Sequence, residues 1–230
     1  PSSIRCIGSN AFEGCSSLEQ ITIPSSVTSI SINAFARCTS LQQITIPSSV
    51  TKIDINTFFE CKLLTRIRIP SSVTLIGPCA FYGCSSLSQI TIPSSIVSIG
   101  GRSFEGCSSL KQIIIPSSVT SIMDNTFSNC SSLSEISIPS SVTSIGNFAF
   151  FECSSLTEIT FEIPSSITSI GSHAFYGCSS LKYIEIPSSV TAIKDSAFCE
   201  CASLTEITIP SSLISISQNA IPQNVRVKRT

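Results

Sequence analysis

The sequence predicts a β-rich repeat solenoid, in which short strands of successive repeats stack into a parallel sheet. The main observation is a Pro-Ser-Ser tripeptide that returns every 23 residues, with one interval of 25. The composition agrees, because Ile, Val, Thr and Ser dominate the chain and the first three favour strands. A unit of this length cannot bury its own apolar side chains. Each repeat must therefore pack against its neighbours.

Four residue types recur with the same period and define nine complete repeats and part of a tenth. The prolines are Pro1, Pro24, Pro47, Pro70, Pro93, Pro116, Pro139, Pro164, Pro187 and Pro210. The phenylalanines are Phe12, Phe35, Phe58, Phe81, Phe104, Phe127, Phe150, Phe175 and Phe198. The cysteines are Cys15, Cys38, Cys61, Cys84, Cys107, Cys130, Cys153, Cys178 and Cys201. The leucines are Leu18, Leu41, Leu64, Leu87, Leu110, Leu133, Leu156, Leu181 and Leu204. Stacking turns each column into a continuous apolar ladder.

The repeat over residues 24–46 shows which elements to expect. The segment Leu-x-x-Ile-x-Ile ends in alternation, so Ile44 and Ile46 lie on the buried face of a strand. Pro47 ends this strand because proline cannot donate to the ladder. A second short strand is expected near Val50 and Ile53, and the Ala-Phe-x-x-Cys segment predicts a short helical or 3₁₀ turn.

One repeat carries two extra residues, and they fall around Thr160-Phe161-Glu162. An extra residue in a strand is usually accommodated as a bulge, so we expect a β-bulge at the end of that strand.

The domain organisation predicted is a single solenoid over residues 1–220, followed by a basic tail over 221–230. A short charge run of this kind usually marks a solvated end. The chain opens in the middle of a repeat without an initiating methionine, so we expect a fragment of a longer protein. The net charge of −1 gives no long-range attraction to polyphosphate and argues against nucleic-acid binding. Polar residues interrupt the apolar runs every few positions, which argues against membrane insertion of this fragment.

The repeat resembles the leucine-rich repeat, and its fuller pattern is similar to the BspA-like class. Residues 84–107 carry nearly the whole signature, Cys-Ser-Ser-Leu-x-x-Ile-x-Ile-Pro-x-x-Val-x-x-Ile-Gly-x-x-Ala-Phe-x-x-Cys. The resemblance implies a right-handed coil with a parallel sheet on its concave side. BspA-like proteins are surface-exposed adhesion and host-interaction proteins of bacteria and anaerobic protists. The resemblance therefore implies a cell-surface or secreted location.

The twelve cysteines do not predict a metal site or a disulfide framework. Nine occupy the repeat column beside Phe and Leu, where a buried thiol acts as a small apolar side chain. Stacked cysteines would have parallel Cβ vectors, which suits a disulfide badly. No Cys-x-x-Cys occurs, and the lone His173 cannot complete a Cys/His site. The most accessible thiols are expected outside the column, at Cys6, Cys79 and Cys199.

No catalytic constellation stands out, so the chain is predicted not to be an enzyme and to need no cofactor. Nucleophilic catalysis requires a unique serine or cysteine beside a base. The serines here recur as pairs after Pro and Cys in nearly every repeat, which is typical of turns.

The predicted ligand site is the row of outward side chains on the concave strands, because these positions vary while the core repeats. Its residues are Gln43, Arg66, Arg68, Gln89, Gln112, Glu135, Glu158, Tyr183, Glu185 and Glu206. Curved repeat surfaces commonly bind partners, so a protein ligand is the leading hypothesis. The open alternatives are a passive spacer with a merely solvated sheet and, less favoured, a glycan-binding surface.

Overall fold

The computed structural model describes residues 3–230, so Pro1 of the proline column lies outside the described residues. Most coils contribute two strands, and residues 100–134 contribute none. The longer series consists of β2 (Gln20–Thr22), β4 (Gln43–Thr45), β6 (Arg66–Arg68), β8 (Gln89–Thr91), β10 (Glu135–Ile138), β12 (Glu158–Phe161), β14 (Tyr183–Glu185), β16 (Glu206–Ile209) and β18 (Arg226–Arg229). The two-residue series consists of β1 (Cys6–Ile7), β3 (Ser29–Ile30), β5 (Lys52–Ile53), β7 (Leu75–Ile76), β9 (Ser98–Ile99), β11 (Ser144–Ile145), β13 (Ser169–Ile170), β15 (Ala192–Ile193) and β17 (Ser215–Ile216).

Strands of the same series pair in parallel, each with its counterpart one coil further on. Ile44 of β4 aligns with Ile21 before it and Ile67 after it, so identical columns stack in register. Within the described residues the longer series forms three sheets, β2-β4-β6-β8, β10-β12 and β14-β16-β18. This is the predicted parallel solenoid of about ten coils, and the fold class is confirmed.

The phenylalanine column forms a continuous stack through the core. Phe35, Phe58 and Phe81 are fully buried, and their ring centroids lie 5.7 and 5.5 Å apart. Neighbouring strands in a sheet lie about 4.8 Å apart. The ring centroids of adjacent coils are thus slightly further apart than the strands of one sheet.

The segment between the two strands of a coil is a series of hydrogen-bonded turns, and residues 3–230 contain no helix. Successive backbone amides alternate in the coil to which they donate. Ala34 donates to the Ser31 carbonyl of its own coil, whereas Asn33 and Phe35 donate to carbonyls of the following coil. Asn33 and Arg37 also adopt positive φ, at 56° and 58°. A helix needs its amides for internal bonds and uniform negative φ, so the predicted helical or 3₁₀ turn cannot extend here.

The two extra residues do not form the predicted bulge. Thr160 and Phe161 stay in register with Ser137 and Ile138, so β12 pairs along its whole length. The two extra residues are accommodated after the strand, where Ile163 is 77% exposed. Keeping the register leaves Ile159 and Phe161 on the core side, and a bulge would have displaced one of them.

The predicted tail forms the strand β18 of the sheet, and its residues 226–230 are exposed, as expected of a solvated end. β18 pairs with β16 in register, aligning Val227 with Ile207, and Val225 is buried. The prediction for the tail rested on its charges alone. Its Val-x-Val alternation allows it to complete a shortened tenth coil. The boundary at residue 220 itself stays a prediction.

Candidate functional site

The outward side chains of the longer strands form one continuous surface, which we call the sheet face. Alternation along each strand creates it, since Ile44 of β4 is buried while Gln43 and Thr45 on either side are exposed. All ten predicted site residues lie on this face. Nine are exposed and Glu206 is half-buried.

The N-terminal half of the sheet face carries a basic spot. Arg66 and Arg68 project from the same side of β6, between the Gln43 and Gln89 strands. Neither arginine takes part in a salt bridge with any residue from 3 to 230. Two shallow grooves, of about 440 and 350 Å³, run beside them. The guanidinium groups are therefore open to an external ligand.

The C-terminal half carries an acidic stretch. Glu135 and Glu158 are aligned neighbours on β10 and β12. Like charges directly opposite each other in a sheet repel. Gln112 offsets part of this repulsion, because its Nε2 donates to Glu135 Oε1 over 2.8 Å. These carboxylates make the face complementary to a cationic ligand.

The tail strand neutralises one end of the acidic stretch. Arg226 and Lys228 of β18 lie 3.5 and 3.4 Å from the carboxylate oxygens of Glu206. The Tyr183 hydroxyl lies 3.3 Å from Glu185 Oε2 and donates to it. Sequence reasoning missed the Glu206 contacts because it left the tail unpaired. The free negative charge is concentrated on Glu135, Glu158 and Glu185.

An unpaired segment divides the two charged halves. Residues 112–114 follow the strand pattern, but no ladder pairs them with β8 or β10. Ile114 projects from this segment with 82% exposure, between grooves of about 630 and 350 Å³. It stands where most coils have Thr or Ser, and that difference was the signal in the sequence that could have singled it out.

The column cysteines from Cys38 to Cys201 are buried and hydrogen-bonded to the preceding coil. Cys84 is fully buried, and its Sγ lies 3.1 Å from the Phe58 carbonyl oxygen of the preceding coil, to which it donates. Burial raises its pKa to about 12. A thiol must ionise to act as a nucleophile. The same bond joins every later column cysteine to a phenylalanine carbonyl, a role that sequence reasoning had not recognised.

Cysteine accessibility agrees with the prediction for Cys6, which is exposed, and for Cys79 and Cys199, which are half-buried. Cys15 is the exception within the column, because it lies in the first coil and is exposed. Hydrogen bonds from Ser29 and Ser31 lower the pKa of Cys6.

Two kinds of site are missing from the part of the chain that the structure describes. Across residues 3–230, no group of three or more His, Cys, Asp or Glu side chains is placed to hold a metal ion. The same part of the chain has no helix long and apolar enough to cross a membrane.

Comparison with known proteins identifies relatives of the same architecture. A family model described as BspA type leucine rich repeat region matches residues 1–111, 51–162 and 160–228. The solved structure of a leucine rich cell surface protein from Faecalibacterium prausnitzii is 30% identical, with a TM-score of 0.61, covering 100% of this chain and 78% of that chain. A T. pallidum leucine rich repeat protein is 28% identical, with a TM-score of 0.60, covering 79% of this chain and 75% of that chain. None of the curated proteins is significantly similar.

Proposed function

This chain belongs to the BspA-type leucine-rich repeat family, and we propose that it is a non-catalytic binding module whose sheet face holds a partner protein. One observation carries the proposal. The buried columns repeat almost unchanged, whereas the sheet face changes sign along the solenoid, from Arg66 and Arg68 to Glu135 and Glu158. A face needed only for solubility has no reason to separate its charges.

The shape of the sheet face supports the same function. Five grooves of about 350 to 630 Å³ follow the outward rows from β4 to β14. Ile114 and Tyr183 supply apolar and aromatic contact area within them. Exposed apolar side chains framed by polar residues are typical of protein interfaces.

A location at the cell surface fits this function, and we include it in the proposal. The F. prausnitzii protein, 30% identical over the whole chain, is described as a cell surface protein. The partner would then be a host or matrix protein that presents basic residues to Glu135, Glu158 and Glu185. Complementary charge of this kind raises the association rate and fixes orientation.

The experiment is a binding assay of the purified chain against host-type cells and matrix proteins. The test variant changes Glu135, Glu158 and Glu185 to Lys. The matched control changes three exposed acidic residues outside both the sheet face and the aromatic turn segments, Glu13→Lys, Asp124→Lys and Asp195→Lys, so both variants have the same net charge. Circular dichroism and thermal unfolding establish that both remain folded.

We expect saturable binding that the control variant keeps and the sheet-face variant loses. Loss in the control alone would move the site away from the sheet face. Absence of saturable binding by any form would contradict the binding function and favour the spacer alternative. Binding to glycans but not to deglycosylated protein would favour a glycan surface instead.

A further inference from the structure

Two pairs of stacked aromatic rings lie on the turn segments, away from the sheet face. Stack one consists of Phe59 and Tyr82, with ring centroids 4.8 Å apart and planes 6° from parallel. Stack two consists of Phe151 and Tyr176, 5.1 Å apart and 12° from parallel. All four rings are half-buried. They occupy the same repeat position, directly after the core phenylalanine.

The surroundings of the two stacks match. The first ring of each is followed by a glutamate, Glu60 or Glu152, and the second by a glycine with φ near 70°. Each glutamate lies over that glycine. A Cβ at Gly83 would come within 3.2 Å of Glu60 Cγ, and one at Gly177 within 2.7 Å of Glu152 Cδ. The two stacks are therefore repeats of one arrangement.

The two stacks differ one coil earlier, at the residue that corresponds to the glutamate. In stack one it is Arg37, whose Cζ lies 5.8 Å from the Phe59 ring centroid. The Nε of Arg37 is also 3.5 Å from Glu60 Oε2. The guanidinium is held between a ring face and a carboxylate, an arrangement that attracts a cation from both sides.

In stack two the equivalent residue is Asn129. It is exposed, and its Nδ2 donates to Ser128 Oγ over 3.0 Å. Among the salt bridges of residues 3–230, none involves Glu152. Stack two thus keeps the ring and the carboxylate without a cation of its own.

Two more rings enlarge stack two. Phe148 lies 5.6 Å from Phe151 and 4.8 Å from His173. Phe148 holds this place at a φ of 56°, a left-handed conformation that is unusual for a bulky residue. The equivalent position has a positive φ in every coil from Asn10 to Ser196, so the turn of the repeat imposes this conformation and holds the Phe148 ring against stack two.

The electrostatic environment of stack two favours a positive ligand. Local desolvation, together with the carboxylates of Glu200 and Glu152, raises the pKa of Tyr176. Both carboxylates are therefore close enough to bias the charge at this ring.

We propose that stack two is a docking site for the guanidinium of an arginine on a partner polypeptide. This external guanidinium takes the place that the chain's own Arg37 occupies at stack one. The site does not depend on the sheet-face function, because it lies on a different side of the coil. The partner is recognised by a basic side chain that lies over the free face of the Phe151 ring, beside the carboxylate of Glu152, with Tyr176 stacked behind Phe151.

The experiment uses the three tyrosines as reporters, since Tyr82 belongs to stack one, Tyr176 to stack two and Tyr183 to the sheet face. The chain is labelled with ¹³C in the tyrosine rings and titrated with a short arginine peptide, followed by NMR. The same peptide with citrulline is the neutral matched control. Choline chloride, as a second probe, distinguishes a general cation site from a guanidinium site.

Two variants swap the residue that distinguishes stack one from stack two. Asn129→Arg places an internal guanidinium at stack two, and Arg37→Asn removes the one at stack one. The backbone tolerates both, because residues 37 and 129 share φ values of 58° and 59°. We expect the arginine peptide to shift Tyr176 saturably, and Asn129→Arg to abolish that shift. In Arg37→Asn, Tyr82 should begin to respond.

The citrulline peptide should bind at least about tenfold more weakly, since it lacks the attraction between the cation and the ring face. An equal response to the two peptides, or a Tyr176 shift that persists in Asn129→Arg, would overturn the proposal. A response to choline equal to that of arginine would overturn the assignment to a guanidinium.

Discussion

Replacing one ring of the phenylalanine stack tests whether coil-to-coil packing holds the solenoid together. Phe81→Ala removes a fully buried ring that stacks on Phe58 at 5.5 Å and on Phe104 at 5.4 Å. Truncating a buried phenylalanine costs about 3–5 kcal/mol of unfolding free energy. The two ring contacts account for about 1–3 kcal/mol of this.

Phe12→Ala is the matched control. The same side chain is half-buried there and, within residues 3–230, stacks only on Phe35, at 5.2 Å. Burial is lower and one of the two ring contacts is absent, so we expect a smaller cost, of about 2–3 kcal/mol. Urea unfolding followed by circular dichroism measures both losses.

A double-mutant cycle isolates the stacking contribution. Phe58 and Phe81 are in contact, so their alanine substitutions should show a coupling of about 0.5–1.5 kcal/mol, whereas distant Phe12 and Phe81 should be additive. Equal costs at Phe12 and Phe81, or no coupling between Phe58 and Phe81, would refute the reasoning.

Four other properties follow from the same coils. Asn56→Val should cost about 1–2 kcal/mol of unfolding free energy, because residue 56 has a φ of 54° that a β-branched residue resists. Asn56→Gly should change the urea midpoint little, and equal effects of the two would contradict this. Burial raises the pKa of Cys84 from 9.0 to about 12, so thiol burial stabilises the fold below pH 9.0. That stability should be lost as the pH rises towards 12. A urea midpoint that stays unchanged between pH 8 and pH 10.5 would contradict this. Iodoacetamide followed by mass spectrometry should modify exposed Cys6 first and Cys84 last, and early labelling of Cys84 would oppose the buried placement. Deleting residues 226–230 exposes the β16 edge, which should produce concentration-dependent self-association in light scattering; a strictly monomeric deletion variant would show that β18 does not protect this edge.

The coil and its core could be predicted from the sequence because burial repeats with the period of the chain. Columns such as Phe35 and Leu41 are apolar in nearly every repeat, so one unit read correctly describes the others. The fold class followed from this, and the family match and the parallel register confirm it.

Features that occur once could not be predicted in the same way. The strand of Arg226–Arg229 is preceded by a shortened coil, so the period that located the other strands no longer applied. The extra residues near Phe161 were placed in the strand, whereas preserving the buried face moves them beyond it.

The candidate site was predicted as a surface but not in its charge balance. Alternation placed Gln43 and Glu158 on the sheet face correctly. The pairing of Glu206 with Arg226 and Lys228 depends on β18 and was missed. The turn conformation was also missed, because positive φ at Asn33 and Arg37 is a property of the stacked coils and not of local propensity.

Oxidative footprinting of side chains in the partner-bound chain tests the binding function of the sheet face most directly. Ile114 and Tyr183 are 82% and 46% exposed on that face. Val97 and Ile214, which directly precede β9 and β17 of the two-residue series, are 56% and 83% exposed. Hydroxyl-radical labelling with mass spectrometry compares all four residues with and without a bound partner. Binding at the sheet face predicts protection of Ile114 and Tyr183 with no change at Val97 and Ile214. Protection of Val97 and Ile214 while Ile114 and Tyr183 remain reactive would contradict it.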